Sequence, residues 1–213
     1  MDTRLLEAVR SGNLQQVQGF LKAGVDLRDR DEEGNSLLML AAAAGHIGIV
    51  RLLADTGAEL NAQNKAGMTP LLISAAVRHM EVFAFLVQRG TDLSVTDAEG
   101  NTALMIAART GLAPAVELMI ARRTPVNAIN RWGTTALMQA ARGGYINIVK
   151  TLLDGGADPD IRDVLGKRAI MYAQEKGTPP IYLVRMLKGE GVPKGRGAFR
   201  STPGRPWWRF WEK

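Results

Sequence analysis

The sequence predicts an all-α solenoid built from tandem helix-turn-helix units. Three observations predict this fold: glycine recurs every 33 residues, the residues around each of these glycines recur with it, and no insertion breaks the register. A fixed period of about 20–50 residues is typical of repeat architectures, in which each unit buries its apolar face against its neighbours. The recurring glycines are Gly34, Gly67, Gly100, Gly133 and Gly166.

Each unit begins with residues that favour a tight turn. Asp or Asn lies three residues before each glycine, at Asp31, Asn64, Asp97, Asn130 and Asp163. These side chains bond nearby backbone groups, and glycine adopts a positive φ without a steric clash. A Ser or Thr two residues after the glycine predicts a helix N-cap. The residues at that position are Ser36, Thr69, Thr102, Thr135 and, as an exception, Arg168.

Two helices follow each turn. Leucine and alanine columns predict a short apolar first helix, which a second glycine column ends at Gly12, Gly45, Gly111, Gly144 and Gly177. The second helix is amphipathic and carries two apolar columns three residues apart. These columns are Val17, Val50, Phe83, Val116 and Val149, and then Phe20, Leu53, Leu86, Met119 and Leu152. A third glycine column, from Gly24 to Gly189, ends the second helix.

A turn, a helix, a second turn and a second helix in 33 residues resemble the ankyrin repeat. The residues that carry the resemblance include Gly67-Met68-Thr69-Pro70-Leu71, Gly100-Asn101-Thr102-Ala103-Leu104 and Gly156-Ala157-Asp158. The resemblance implies an ankyrin-repeat solenoid of about six repeats, with the turn tips on one edge. The array spans residues 1–193, with repeats near 1–30, 31–63, 64–96, 97–129, 130–162 and 163–193.

Two departures from the family pattern bear on packing. The family usually has His after the Thr-Pro-Leu motif, whereas this chain has Met39, Leu72, Met105, Met138 and Met171. We expect apolar packing of these side chains in place of an inter-repeat hydrogen bond. Arg78 and Arg123 stand where the other repeats have glycine. Either the backbone bends differently there, or these arginines are strained at positive φ.

Residue types argue against catalysis. The chain has no Cys and only two His, and His46 and His79 lie one repeat apart, after the first helix. We find no nucleophile paired with a base, no metal-ligand cluster and no phosphate-binding glycine loop, so we expect neither an enzyme nor a cofactor or metal. No apolar run approaches the length of a bilayer, and the start of the chain does not resemble a signal peptide, so we expect a cytoplasmic location.

The resemblance implies a protein partner, because ankyrin arrays generally bind proteins on the turn tips and the exposed side of the first helices. Transferred by column, apolar and Arg residues concentrate in the C-terminal half of this concave face. The predicted contacts are Trp132, Arg131, Arg109, Arg142, Ile129, Arg162, Met68 and Lys65. The function predicted first is therefore a protein-protein interaction scaffold or adaptor.

Trp132 and the pair formed by Arg109 and Arg142 also have interpretations that involve no partner. Trp132 on a turn tip has the residue type found in interface hot spots, but it could instead fold down onto Ile129 or a neighbouring tip. Arg109 and Arg142 on adjacent repeats suit an acidic or carboxylate-bearing partner. They could equally be solvated, or neutralised by local acids such as Glu99.

The last twenty residues differ from the array. Residues 194–213 carry six basic residues against one acidic residue, although the full chain of 213 residues has a net charge of only +6. The near-neutral array therefore predicts no specific nucleic acid partner. The first part of this tail is predicted to be disordered, and an aromatic and basic segment follows, formed by Arg205, Pro206, Trp207, Trp208, Arg209, Phe210 and Trp211. The tail could dock on a partner or on the array, or be inert, or make a weak contact with an anionic membrane. The last reading is the alternative function, a peripheral membrane tether.

Overall fold

The computed structural model describes residues 2–175 and 179–189, which form twelve α-helices in six pairs. The helices are α1 (Thr3–Ser11), α2 (Leu14–Lys22), α3 (Leu37–Ala44), α4 (Ile47–Asp55), α5 (Pro70–Ala76), α6 (Met80–Gln88), α7 (Ala103–Thr110), α8 (Ala113–Ala121), α9 (Ala136–Gly143), α10 (Ile146–Asp154), α11 (Ala169–Gln174) and α12 (Ile181–Leu187). No strand occurs among the described residues, so the predicted all-α solenoid of about six repeats is confirmed.

The helices lie in two layers. Each odd-numbered helix packs on the next odd-numbered helix, from α1 against α3 to α9 against α11, and the even-numbered helices pack in the same way. The two helices of each pair also contact one another. Each repeat therefore buries its apolar residues mainly against its neighbours, as expected for a solenoid.

The apolar columns of the second helices form the centre of this core. Val17, Val50, Phe83, Val116 and Val149 are completely buried, which confirms that column. In the second column Leu53, Leu86, Met119 and Leu152 are also buried. Phe20 was predicted to join them but is only partly buried, because the described residues place a neighbouring repeat on only one side of α2.

The turn tips are held in a row along one edge. In the fourth repeat Asp97 Oδ1 accepts hydrogen bonds from the N–H groups of Glu99 and Asn101, and Gly100 has a φ of 81°. Backbone bonds then join successive tips. Arg131 N donates to Glu99 O at 3.1 Å, and Val164 N donates to Trp132 O at 3.0 Å. This ladder fixes where each tip presents its side chains.

The predicted N-caps are present in the four central repeats. The hydroxyls of Ser36, Thr69, Thr102 and Thr135 each accept a hydrogen bond from the backbone N–H three residues on. Arg168, the exception in the sequence, makes no side-chain cap bond to α11.

The methionine column is buried except at its end. Met39, Met105 and Met138 are buried as predicted, and Met138 Sδ also accepts a weak bond from the N–H of Thr135 at 3.4 Å. The prediction was wrong for Met171, whose side chain is 45% exposed. None of the described residues forms a further repeat that would cover this side of α11.

Amide pairs supply inter-repeat hydrogen bonds that the sequence did not predict. Asn64 Nδ2 donates to Asn35 Oδ1 at 2.7 Å, and Asn130 Nδ2 donates to Asn101 Oδ1 at 2.8 Å. These pairs join the second repeat to the third and the fourth to the fifth. The second pair is buried beneath the tips and forms part of the site described below.

The two arginines in glycine columns keep the glycine conformation. Arg78 has a φ of 63° and Arg123 a φ of 55°. The backbone therefore follows the repeat geometry, and the arginines occupy the left-handed region at a cost on the order of 1 kcal/mol each.

Candidate partner-binding site

A cleft opens between the tips of the fourth, fifth and sixth repeats and the exposed side of the first helices below them. Its volume is about 390 Å³. The tips contribute Glu99, Asn101, Asn130, Trp132, Thr134, Asp163, Val164 and Leu165, and the helices contribute Arg109, Gln139, Arg142 and Tyr172. We call this the Trp132 cleft.

Trp132 stands at the rim of the cleft on a rigid backbone. Its N–H donates to Asn130 Oδ1 at 3.0 Å, and its carbonyl accepts the N–H of Val164. The side chain is nevertheless 47% exposed, so it is not folded away against its neighbours. A large, rigid and partly exposed aromatic surface is a feature of interface hot spots.

The neighbouring tip extends this apolar rim. Val164 and Leu165 are 68% and 75% exposed, and both line the Trp132 cleft. Leu165 N and Lys167 N donate to the carboxylate of Asp163, which fixes the turn that carries these side chains. Three apolar side chains are therefore presented together at the edge of one cleft.

The two arginines of the cleft differ in their surroundings. Arg142 Nε bonds Glu175 Oε2 at 3.1 Å, and the Arg142 guanidinium lies 5.3 Å from the centre of the Tyr172 ring. Glu175 also accepts a bond from Lys167 Nζ at 2.9 Å, so one carboxylate serves two cations. The side chain of Arg109 is exposed and has no hydrogen-bond or ion-pair partner within the described part of the chain. Of the two predicted arginines, Arg142 is therefore neutralised by Glu175, whereas Arg109 is available to bind a partner.

The floor of the cleft at the sixth repeat is a buried polar pair. Tyr172 donates its hydroxyl to Asp163 Oδ2 at 2.5 Å. Burial raises the pKa of Tyr172 to about 12, and the hydrogen bond to Asp163 adds to the rise. Burial opposes ionisation of Asp163, but hydrogen bonds from Tyr172, Lys167 and Leu165 outweigh it and lower the pKa of this carboxyl.

The acids of the cleft are not equally accessible. Asp163 is buried, and all of its described bonds hold its own turn and Tyr172. Glu99 is exposed on the fourth tip, where Oε2 accepts one bond from Asn101 Nδ2 at 3.1 Å. Arg109 and Glu99 are therefore the exposed charges of the lining that no ion pair neutralises among the described residues.

A known family of repeat proteins has the same features as this chain, namely paired helices and turn tips that are bonded in a row. A family model described as ankyrin repeats (three copies) matches residues 5–97 and again residues 78–163. This chain belongs to the ankyrin-repeat family. Ankyrin repeats are generally protein-protein interaction modules and are generally not enzymes.

A solved ankyrin-repeat structure agrees with this assignment. The chain is similar to an ankyrin repeat domain from Acinetobacter baumannii AYE, with 30% sequence identity and a TM-score of 0.79. The match covers 88% of this chain and 97% of that domain. No curated protein matches the sequence.

The remaining predicted contacts of this ankyrin array lie outside the Trp132 cleft. Arg131 is exposed on the fifth tip, and Ile129 and Arg162 are exposed beside the fifth and sixth tips. Arg162 donates a bond to the carbonyl of Gly166 in the sixth turn. Lys65 is exposed on the third tip, whereas Met68 is half-buried and packs on the core. The tail residues Arg205, Trp207, Trp208, Arg209, Phe210 and Trp211 lie outside the described residues.

Both histidines make contacts between neighbouring ankyrin repeats. His46 Nε2 lies 3.0 Å from the carbonyl oxygen of Arg10, so it bonds the first repeat to the second. His79 packs in the same position over Gly45 of the preceding repeat. Within residues 2–175 and 179–189, no group of three His, Asp or Glu side chains is placed to hold a metal ion. No helix in those ranges is long and apolar enough to cross a membrane.

Sequence reasoning missed the polar network around Tyr172. Its one signal was a change of residue type in a column, since the second to fifth repeats have Leu40, Ile73, Ile106 and Gln139 at this position. A tyrosine in that column places a hydroxyl near the Asx residue of its own turn. Glu175 lies one 33-residue period after Arg142, which indicates that the two side chains are neighbours, but no sequence pattern predicted that Lys167 shares the same carboxylate.

Proposed function

We propose that this ankyrin-repeat protein is an adaptor that binds a protein partner on the face formed by the turn tips and the first helices. The observation that carries the proposal is the partly exposed Trp132, beside Val164 and Leu165, at the rim of a cleft. Monomeric surfaces seldom leave such apolar groups clustered without a binding role. The fold supplies a rigid frame, and the Trp132 cleft supplies the apolar anchor.

The proposal assigns different roles to the predicted contact residues. Trp132 anchors the partner, Arg109 contributes charge inside the cleft, and Arg131, Ile129 and Arg162 extend the surface along the tips. Lys65 lies two repeats away and would be reached only by a long partner. Met68 contributes through packing, because it is half-buried against the core.

Affinity capture with matched variants tests this function. The unmodified chain, Trp132→Ala and Ile181→Ala would be used as baits. Proteins that bind directly would be identified, and their dissociation constants would be measured. Ile181 is a suitable control because it is 69% exposed but lies on α12, in the layer of second helices. The proposal requires a partner whose binding is weakened by Trp132→Ala and unaffected by Ile181→Ala. Partners that bind both variants as well as the unmodified chain would contradict it.

A further inference from the structure

We infer that the Trp132 cleft binds a peptide segment in which a large apolar side chain lies close to a carboxylate. This inference rests on the proposed function and specifies its partner by chemistry. The apolar part of the segment would pack on Trp132 and Leu165. The carboxylate of an Asp or Glu residue would pair with Arg109.

Arg109 is the arginine of the cleft that is available to bind a carboxylate. An arginine side chain presents several N–H donors in a planar fork, which matches the two oxygens of a carboxylate. Arg142 cannot offer the same fork freely, because Glu175 accepts from its Nε and Tyr172 lies against its guanidinium. Arg109 has no such partner among the described residues and faces the same cleft.

Trp132 and Leu165 form an apolar surface in the same cleft as Arg109. Trp132 and Leu165 belong to adjacent tips that are joined through the bond from Val164 N to Trp132 O. The backbone that carries these two side chains is therefore held in place before a partner binds. Truncation of an interface residue costs most where surrounding apolar contacts exclude water, and here the apolar groups and Arg109 line the same cleft.

Glu99 sets the charge that the partner can carry. Its carboxylate lines the cleft and has no cation partner among the described residues. A phosphate group carries about two negative charges and would meet this carboxylate with more repulsion than a single carboxylate would. A segment rich in Lys or Arg would be repelled by Arg109. A single carboxylate can pair with Arg109 and meets less repulsion from Glu99 than a phosphate would, so one acidic side chain beside an apolar one is the segment that we assign to the cleft.

Selection from a displayed peptide library tests the inference. Random 12-residue peptides would be selected on the unmodified chain, and enriched peptides would be synthesised and their affinities measured. We expect a shared pattern of one Asp or Glu within a few residues of Leu, Ile, Phe or Trp. Arg109→Gln should weaken binding about tenfold, as expected for loss of a hydrogen bond to a charged group. Glu99→Gln should strengthen it.

A double-mutant cycle separates the charge pair from general effects. When the acidic residue of the peptide is replaced by its amide, Arg109→Gln should no longer weaken binding. Ile181→Ala should leave every affinity unchanged. An equal effect of Arg109→Gln on the acidic and amide peptides would overturn the carboxylate assignment.

Other peptide patterns would distinguish a failure of this inference from a failure of the proposed function. Peptides that require Trp132 but show no acidic residue and no dependence on Arg109 would overturn this inference and leave the proposed function intact. Peptides indifferent to both Trp132→Ala and Arg109→Gln would count against both. A basic, Trp-rich pattern like residues 205–211 would point to the chain's own tail as occupant and overturn the inference, as would the absence of any enriched peptide.

Discussion

Tyr172 donates a 2.5 Å hydrogen bond to Asp163 and so ties helix α11 to the turn tip of its own repeat. Both residues are buried, and their pKa values move in opposite directions. Burial raises that of Tyr172 to about 12, while hydrogen bonds lower that of Asp163 against the effect of burial. The fold therefore favours a neutral tyrosine and an ionised aspartate, which is the combination that preserves the bond.

This pair predicts how stability changes with pH. Tyr172 has a folded pKa above its ordinary value of 10, so its contribution is complete below pH 10 and is lost as pH rises toward 12. Asp163 has a folded pKa below 3.8, so its contribution is present above that pH and is lost as pH falls through the folded value. Tyr172→Phe should cost about 2 kcal/mol at neutral pH, the scale of a hydrogen bond to a charged group.

Thermal melts of the unmodified chain and Tyr172→Phe across the pH range check this prediction. The difference between the two melting temperatures should be steady near neutrality and should shrink at both extremes. A difference that persists unchanged as the pH rises from 10 to 12 would mean that folding does not raise the pKa of Tyr172.

Trp132 should contribute to binding without contributing much to stability. Its backbone bonds hold the turn, whereas about half of its side chain faces solvent. Trp132→Ala should shift the melting temperature by only a few degrees and weaken partner binding by about 2 kcal/mol. Calorimetry on the variant and on Ile181→Ala gives both quantities. A collapse in stability would instead make Trp132 a packing residue.

Arg123 occupies a conformation that glycine adopts without strain. Its φ is 55°, and the corresponding positions in other repeats are Gly24, Gly57, Gly90 and Gly156. Arg123→Gly should therefore raise the free energy of unfolding by up to about 1 kcal/mol. The control is Arg122→Gly, since Arg122 has a φ of −84° and glycine there should destabilise the fold slightly. Denaturant unfolding of both variants would refute the strain argument if they changed stability in the same direction.

Helix α11, the first helix of the sixth repeat, lacks the side-chain N-cap that the first helices of the four central repeats have. Arg168 at this position makes no cap bond, and its Nε is buried without a hydrogen-bond partner. Arg168→Thr should restore the cap and stabilise the chain by about 1 kcal/mol. It removes an ion pair with Asp160, but that aspartate is exposed and such pairs contribute little. Asp160→Asn measures the lost pair separately, and a destabilised Arg168→Thr variant would show that the pair outweighs the cap.

Much of the fold could be predicted because its chemistry is local and repeated. The Asx-to-Gly spacing identified the turns, and Ser or Thr identified the caps, because these interactions join residues two to four positions apart. Errors occurred at the ends of the array. Phe20 and Met171 match their columns, but among the described residues each has a neighbouring repeat on one side only, so part of each side chain stays exposed.

The sequence by itself determined the 33-residue register, the helical pairs and the placement of Trp132 on a turn tip. Only the tertiary structure decided which side chains meet across repeats. Arg109 and Arg142 occupy equivalent positions, yet Glu175 from the next repeat neutralises one of them and leaves the other available. The reason is physical: a register places side chains near each other, but the partner that each one bonds depends on distances of a few ångströms between different repeats.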